Sequence, residues 1–390
     1  MANPGITTVD RVPLLDVNRG NQALLPEIKE ALNEICDSGR FVGGSWCSQL
    51  ESTIAEQCGA KFAIGCASGS DALLLSLMAI DLKPGDEVIV PSFTFFASVS
   101  AITRLGGRPV FIDIEPDTYN LDCNQLESLI TEKTRAIIPV HLFGQCADMT
   151  AISEIAERHN LHVIEDAAQA IGAEFDGRRA GGIGDFGCIS FYPTKNLGGF
   201  GDAGMVTTND EQLADRVRLL ANHGMRPRYY HQVVGINSRL DAMQAAILQI
   251  KSTQLDEYSR KRADNAAHYR RLFNAYGMSQ AVQLPFEDSR CLHVWNQFTI
   301  RVDGLRRDQI RQDLMERGIG TEVYYPVPVH MQQCYADLRQ EAGSLPNTEK
   351  AANEVLSLPI FPELTRPEIE TVVQRLSEVV FGQQQLRMAS

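Results

Sequence analysis

GCISFYPTKNLGGFGDAG, residues 187–204, places a single lysine, Lys195, after a short apolar run (188–192) and inside a cluster of glycines. A solvated surface lysine needs no such setting. Partial desolvation, by contrast, lowers an ammonium pKa and frees the amine to attack a bound carbonyl compound. Upstream, VIEDAAQ (163–169) reads as a buried strand that ends in a carboxylate, Asp166. An amine poised for an aldehyde and an acid able to keep a ring nitrogen protonated together point to pyridoxal 5'-phosphate (PLP).

Outward from these two segments, apolar runs at 61–65, 87–90, 109–112, 136–140 and 162–164 alternate with helical patterns at 23–37, 48–57, 70–80, 94–105, 123–131 and 148–159. Such alternation predicts an α/β domain with a mostly parallel central sheet flanked by helices, its ligand beyond the C-terminal strand ends. Residues 239–273 contain few breakers and predict one or two long helices leading out of that domain. A strand at 295–302 and helices at 307–316 and 366–379 then predict a smaller C-terminal α+β domain. The expected division is 1–250, N-terminal arm included, for the large PLP-binding domain, 251–382 for the small one, and 383–390 for a frayed tail.

Composition narrows the function classes. A formal net charge of −13 disfavours polyanions, and no basic run is interleaved with aromatics, so nucleic acid is not an expected partner. No run approaches the length of a membrane span, and the first residues lack the basic-then-apolar pattern of a signal peptide. Nine scattered cysteines without a CxxC pair predict reduced thiols, a cytoplasmic location and no structural zinc. His159 and His162 straddle a helix end and a strand start, so no shared metal is expected there, and no metal site is predicted elsewhere.

CASGSDAL (66–73) follows a strand and opens a helix, aiming first-turn amides and two hydroxyls at one spot. A phosphate fits there; an ordinary N-cap by Ser70 or Asp71 fits equally well. Two segments satisfy G-x-G-x-x-G: Gly182, Gly184 and Gly187, and Gly199, Gly201 and Gly204. Each runs into a strand rather than a helix, which is the wrong context for a dinucleotide fingerprint. Their glycines are expected instead to let backbone pass close to the cofactor.

EDAAQ, SFYPTKNLG and GDAG together resemble the nucleotide-sugar aminotransferases of the DegT/DnrJ/StrS type, a branch of the fold-type I PLP enzymes, and the resemblance extends from PLLDV (13–17) to LSLPIF (356–361). It implies that Lys195 is catalytic and carries PLP, that Gly69, Ser70 and Ser190 hold its phosphate, that Phe95 stacks on its ring, and that Asp166 and Gln169 face the ring nitrogen and phenolic oxygen. It further implies that Asn237 reaches the phosphate bound by a partner subunit, and that Tyr325 and His330 lie on the substrate side. From the residues alone, Asn237 near Gly235 reads as a turn residue and Ser190 as a strand-end hydroxyl, while Asp166 taken singly fits a helix N-cap as well as a ring-nitrogen partner.

The resemblance implies a homodimeric aminotransferase with shared active sites, moving an amino group from glutamate onto a keto carbon of a nucleotide-linked sugar for amino-sugar or polysaccharide biosynthesis. Enzymes of the family that act at C4 more often read SFHxxK with a GEGG-like tail, and those acting at C3 more often read SFYPxKxLG with GDGG or GDAG. Tyr192, Pro193, Leu197 and residues 201–204 place this chain with the C3 group. Amination at C4, or a non-catalytic regulatory role on the same fold, are the alternatives. Lys195 weighs against the second.

Overall fold

The computed structural model describes residues 9–338 and 340–388, with side chains to residue 382. Seven strands form its central sheet: β1 (Phe62–Cys66), β2 (Glu87–Pro91), β3 (Arg108–Ile112), β4 (Thr134–Ile137), β5 (His162–Asp166), β6 (Phe186–Ser190) and β7 (Gly204–Thr208). Their order is β1-β7-β6-β5-β4-β2-β3. The strands from β6 to β3 run parallel, and β7 runs antiparallel to both of its neighbours. The expected α/β class with a mostly parallel sheet is therefore what the chain forms.

Successive strand residues face opposite sides of a sheet. Ile89, Ile137, Val163, Ile189 and Met205 accordingly enter the core on one face, while Val88, Val90, Ala136, Ile164, Cys188 and Val206 enter the core on the other. A sheet that is apolar on both faces needs helices on both. Helix α1 (Leu25–Ser38) covers the first face with Ile28, Ala31 and Ile35, and it stops at Gly39, whose φ of 64° is the left-handed conformation that ends helices. Helix α2 (Gly69–Ala79) is buried along most of its length, with Leu73, Leu74, Leu75 and Leu77 in the second core. Helix α3 (Ala97–Arg104) follows β2 on the same side.

The predicted run at 239–273 resolves into two helices, α4 (Ala242–Ser252) and α5 (Leu255–Ala275). A third core joins α5 to α6 (Arg366–Met388) and to a two-stranded antiparallel sheet of β8 (Phe298–Arg301) and β9 (Val355–Leu358). The strand predicted to start at residue 295 begins three residues later because Trp295 adopts φ 50°, a conformation costly for a bulky residue, with its ring stacked on His293 at 3.9 Å. β9 was not expected at all.

In the N-terminal arm, Val12 is buried in the third core, its N–H donates to Gly318 O at 2.9 Å, and its carbonyl accepts from Gly320 N at 2.8 Å. The predicted frayed tail is helical through Met388, because QQQLR contains no breaker and a single Gly382 costs a helix only about 1 kcal/mol. The start of the chain, on which the signal-peptide reading rests, lies outside the described residues. Among the described residues no helix is long and apolar enough to cross a membrane.

Candidate active site

A cavity of about 630 Å³ opens where the parallel strands end. The connections that leave those ends build its walls: Gly69 and Ser70 after β1, Thr94 and Phe95 after β2, Asp166 closing β5, Ser190 closing β6, and Lys195 on the turn that leads to β7. Tyr325, from the C-terminal part of the chain, completes the wall. Eight of the ten residues expected in the site thus line one cavity.

At one pole stands the N-terminus of α2, where the first-turn amides have no intrahelical partner. Its cap is Ser68, whose Oγ accepts from Asp71 N at 3.1 Å, rather than Ser70 or Asp71. The Ser70 side chain is therefore left for the cavity. Two close approaches seat this turn against the ends of β6 and β7. A Cβ on Gly69 would lie 2.6 Å from Ser190 Cβ, and one on Gly204 would lie 2.3 Å from the Ser68 carbonyl. Only glycine allows backbone to pass so near.

Asp166, 5 % exposed, accepts from Ser98 Oγ at 2.6 Å through Oδ2 and from Ala168 N at 3.2 Å through Oδ1. Lys195 sits on a tight turn in which its N–H donates to Tyr192 O at 2.8 Å. α4 grips the far side of that turn: Lys251 Nζ donates to Gly198 O at 2.5 Å, and Phe200 N donates to Gln244 Oε1 at 2.8 Å. Burial pushes the Lys195 amine down to about 8, against the opposing pull of the Asp166 charge. At pH 7 about a tenth of that amine is then neutral, against roughly 0.03 % for a solvated lysine.

Phe95 is 57 % exposed and faces the cavity, whereas Phe93 is fully buried in the third core and Phe96 packs on Tyr335 at 5.7 Å. That separates three aromatics the sequence could only order by position. Gln169 Oε1 accepts from Phe143 N at 2.7 Å, and its Nε2 donates to Tyr325 OH at 3.2 Å, leaving the phenol proton free to donate into the cavity. Burial, reinforced by the Asp166 charge, raises the Tyr325 pKa and keeps the phenol neutral.

Asn237 and His330 do not line this cavity. Asn237 is exposed, in a bridge with Asn222. His330 is buried under the sheet edge, with Nδ1 at 2.7 Å from Ser92 Oγ and the ring packed near Phe111, so its substrate-side placement is corrected to a packing one. The first glycine set is corrected too. Its loop wraps Glu165, whose carboxylate accepts from the N–H groups of Gly181, Ile183 and Gly184 and faces His141 Nε2 at 2.9 Å, away from the cavity. His159 and His162 turn to different acids, Glu127 and Asp185.

Ser98, Asn296, Gln297 and Tyr324 are not among the residues expected from sequence, although the last three line the cavity and Ser98 holds its acid. Ser98 and Tyr324 are chain neighbours of Phe95 and Tyr325, which is the signal that could have found them, whereas Asn296 and Gln297 arrive from a distant segment with no local pattern to mark them. The parts fit PLP: an amide-rich turn for phosphate, a flat ring to lie on the pyridine, a fixed carboxylate for the ring nitrogen and a desolvated amine for the aldehyde.

Residues 23–377 match the profile of the DegT/DnrJ/EryC1/StrS aminotransferase family. The chain is 49 % identical, over 94 % of its length and 98 % of the relative's, to a pleiotropic regulatory protein of Geobacillus stearothermophilus. It is 45 % identical, over 94 % and 96 %, to the dTDP-3-amino-3,4,6-trideoxy-α-D-glucose transaminase of Streptomyces venezuelae. A third relative, the UDP-N-acetyl-3-dehydro-α-D-glucosamine 3-aminotransferase of Acidithiobacillus ferrooxidans, is 42 % identical over 95 % and 98 %. Among solved structures, S. venezuelae DesV in complex with a ketimine intermediate superposes with a TM-score of 0.91 at 44 % identity, covering 95 % of this chain and 98 % of DesV. NtdA of Bacillus subtilis with bound cofactor PMP gives 0.89 at 34 % identity, over 96 % and 86 %.

Proposed function

From the premise that this chain belongs to the DegT/DnrJ/EryC1/StrS aminotransferase family and is a PLP-dependent aminotransferase, we propose that it transfers an amino group, donated by glutamate, to the C3 keto carbon of a nucleotide-linked hexose. The observation that carries the reading is one cavity with the Lys195 amine, the Asp166 carboxylate and the amide-rich turn at Gly69 on its walls. When bound there, PLP supplies an electron sink for the charge left on the amino-bearing carbon. With PLP in this cavity, Gly69, Ser70 and Ser190 would hold the phosphate, Phe95 would cover one ring face, and Asp166 would keep a proton at the ring nitrogen. Lys195 Nζ would be the amine that meets the aldehyde and the group that carries a proton to and from the amino-bearing carbon. Tyr325, with its phenol proton free, is the sugar-side donor.

Amination at C3 is supported by Tyr192, which faces the cavity where enzymes acting at C4 more often place histidine, and by relatives whose names specify 3-amino or 3-dehydro sugars. Offered matched 3-keto and 4-keto sugars linked to UDP or dTDP, with glutamate, the enzyme is expected to give a product whose new nitrogen is located at C3 by NMR. A product aminated only at C4 would overturn the assignment, and no turnover with any keto sugar in the panel would overturn the substrate class.

The active form is a homodimer whose sites share residues, with Asn237 reaching the partner's phosphate. Supporting this, the segment leading to Asn237 exposes Tyr229 (74 %), Tyr230 (69 %) and Val234 (91 %), and Val42, exposed as well, bridges to Asp241 just beyond it. An apolar surface of this kind suits a second copy. Mixing inactive Lys195→Ala and Asn237→Ala subunits in equal amounts is expected to return about a quarter of wild-type activity, because half the dimers are mixed and each carries one intact site. Confirmed heterodimers without activity would count against shared sites.

A further inference from the structure

Beside Asp166 stand two hydroxyls with no part in the reaction described so far. Ser98, in the first turn of α3, is fully buried, and Thr94 is 2 % exposed. Ser98 Oγ stands 2.6 Å from Asp166 Oδ2 and 2.9 Å from Thr94 Oγ1. A serine at this place in a helix ordinarily returns its proton to a carbonyl of the preceding turn. Here that carbonyl, Phe95 O, is 3.2 Å away, and a carboxylate oxygen is both nearer and the stronger acceptor. Ser98 has one proton, so giving it to Asp166 leaves its oxygen to accept from Thr94.

We propose that Thr94 and Ser98 form a directional hydroxyl relay that ends on Asp166 and holds this carboxylate in the orientation that faces the ring nitrogen. The inference rests on the reading of Asp166 given above. With Ala168 N on Oδ1 and Ser98 on Oδ2, each carboxylate oxygen carries one protein donor and keeps a lone pair for a further one. Two donors on two different oxygens fix the plane of the carboxylate. Removing one lets the carboxylate turn, so its hydrogen bond to the ring nitrogen is lost part of the time and the electron sink weakens. Thr94 and Phe95 are consecutive, so the relay also ties the acid to the turn that presents the aromatic ring. Ser98 and Thr94 are positioning residues, since neither acts except through Asp166.

The test reconstitutes the full-length protein with PLP labelled with ¹⁵N in the ring and records the ring-nitrogen NMR signal in wild type, Ser98→Ala, Thr94→Val, Thr94→Ser and Asp166→Asn. Ser98→Ala is expected to move the signal toward the unprotonated position and to lower kcat about 10-fold with the sugar KM little changed. Thr94→Val, which removes only the hydroxyl, should move both in the same direction by less, and Thr94→Ser should restore them. If Ser98→Ala fails to fold, the Thr94 pair decides by the same signal. A wild-type ring signal in Ser98→Ala and Thr94→Val overturns the relay, whatever their melting temperatures. Should Asp166→Asn also leave the signal unmoved, the Asp166 assignment has failed and the relay falls with it; should Asp166→Asn alone move it, only the relay fails.

Discussion

Lys195→Ala is expected to lose the visible absorbance of lysine-bound PLP and to slow transamination by at least about 10⁴-fold. The size follows from two roles lost together, the covalent hold on the aldehyde and the proton transfer between carbons. No other amine lines the cavity among the described residues; Lys251, also held near 8 by burial, spends its ammonium on Gly198 O behind the turn. A variant that keeps the wild-type spectrum would sink the lysine assignment. The same residue makes a prediction for the protein without cofactor. Its folded pKa, about 8, lies below the ordinary lysine value, so the charged form is disfavoured in the fold. The cost is fully present below pH 8, where both folded and unfolded lysine are protonated. It shrinks as the folded amine loses its proton between pH 8 and the unfolded value, and is gone above that. Lys195→Met should therefore stabilise the cofactor-free protein by about 2 kcal/mol at pH 7, after allowance for partial exposure, and by almost nothing near pH 11. Urea melts at the two pH values check it, and a gain that grows with pH would contradict the sign.

Asp166→Asn is expected to reduce kcat by about 10²- to 10³-fold and to weaken PLP retention, because a neutral amide cannot hold a proton at the ring nitrogen. The substitution preserves size, and Ser98 can turn its proton to Phe95 O, so the fold should persist. Circular dichroism and the equilibrium loss of PLP on dialysis separate that outcome from misfolding. Wild-type kcat in Asp166→Asn would show that the acid sharing the cavity with Lys195 is not the partner of the ring nitrogen.

The chain's own order determined a good deal about this protein. Lys195 with its glycines, Asp166 at the end of an apolar run, and the turn at Gly69 are local patterns, because a strand's two-residue period and a helix's first turn are written in consecutive residues. Alternation of apolar runs with helical faces likewise determined the parallel sheet, and with it the edge where the cavity opens. Tertiary structure alone decided which distant groups meet. The sheet order sets β1 beside β7, so Gly204 packs on Ser68, and the same folding brings Ser98 to Asp166, Gln169 to Tyr325 and Val12 to Gly318. His330 and Gly182 show the converse, since residues that suited a site by type were taken up by Ser92 and by the backbone at Cys58. A hydroxyl, imidazole or glycine carries no mark of its eventual neighbour; that is settled by how a buried polar group finds a partner once the cores on both faces of the sheet have closed.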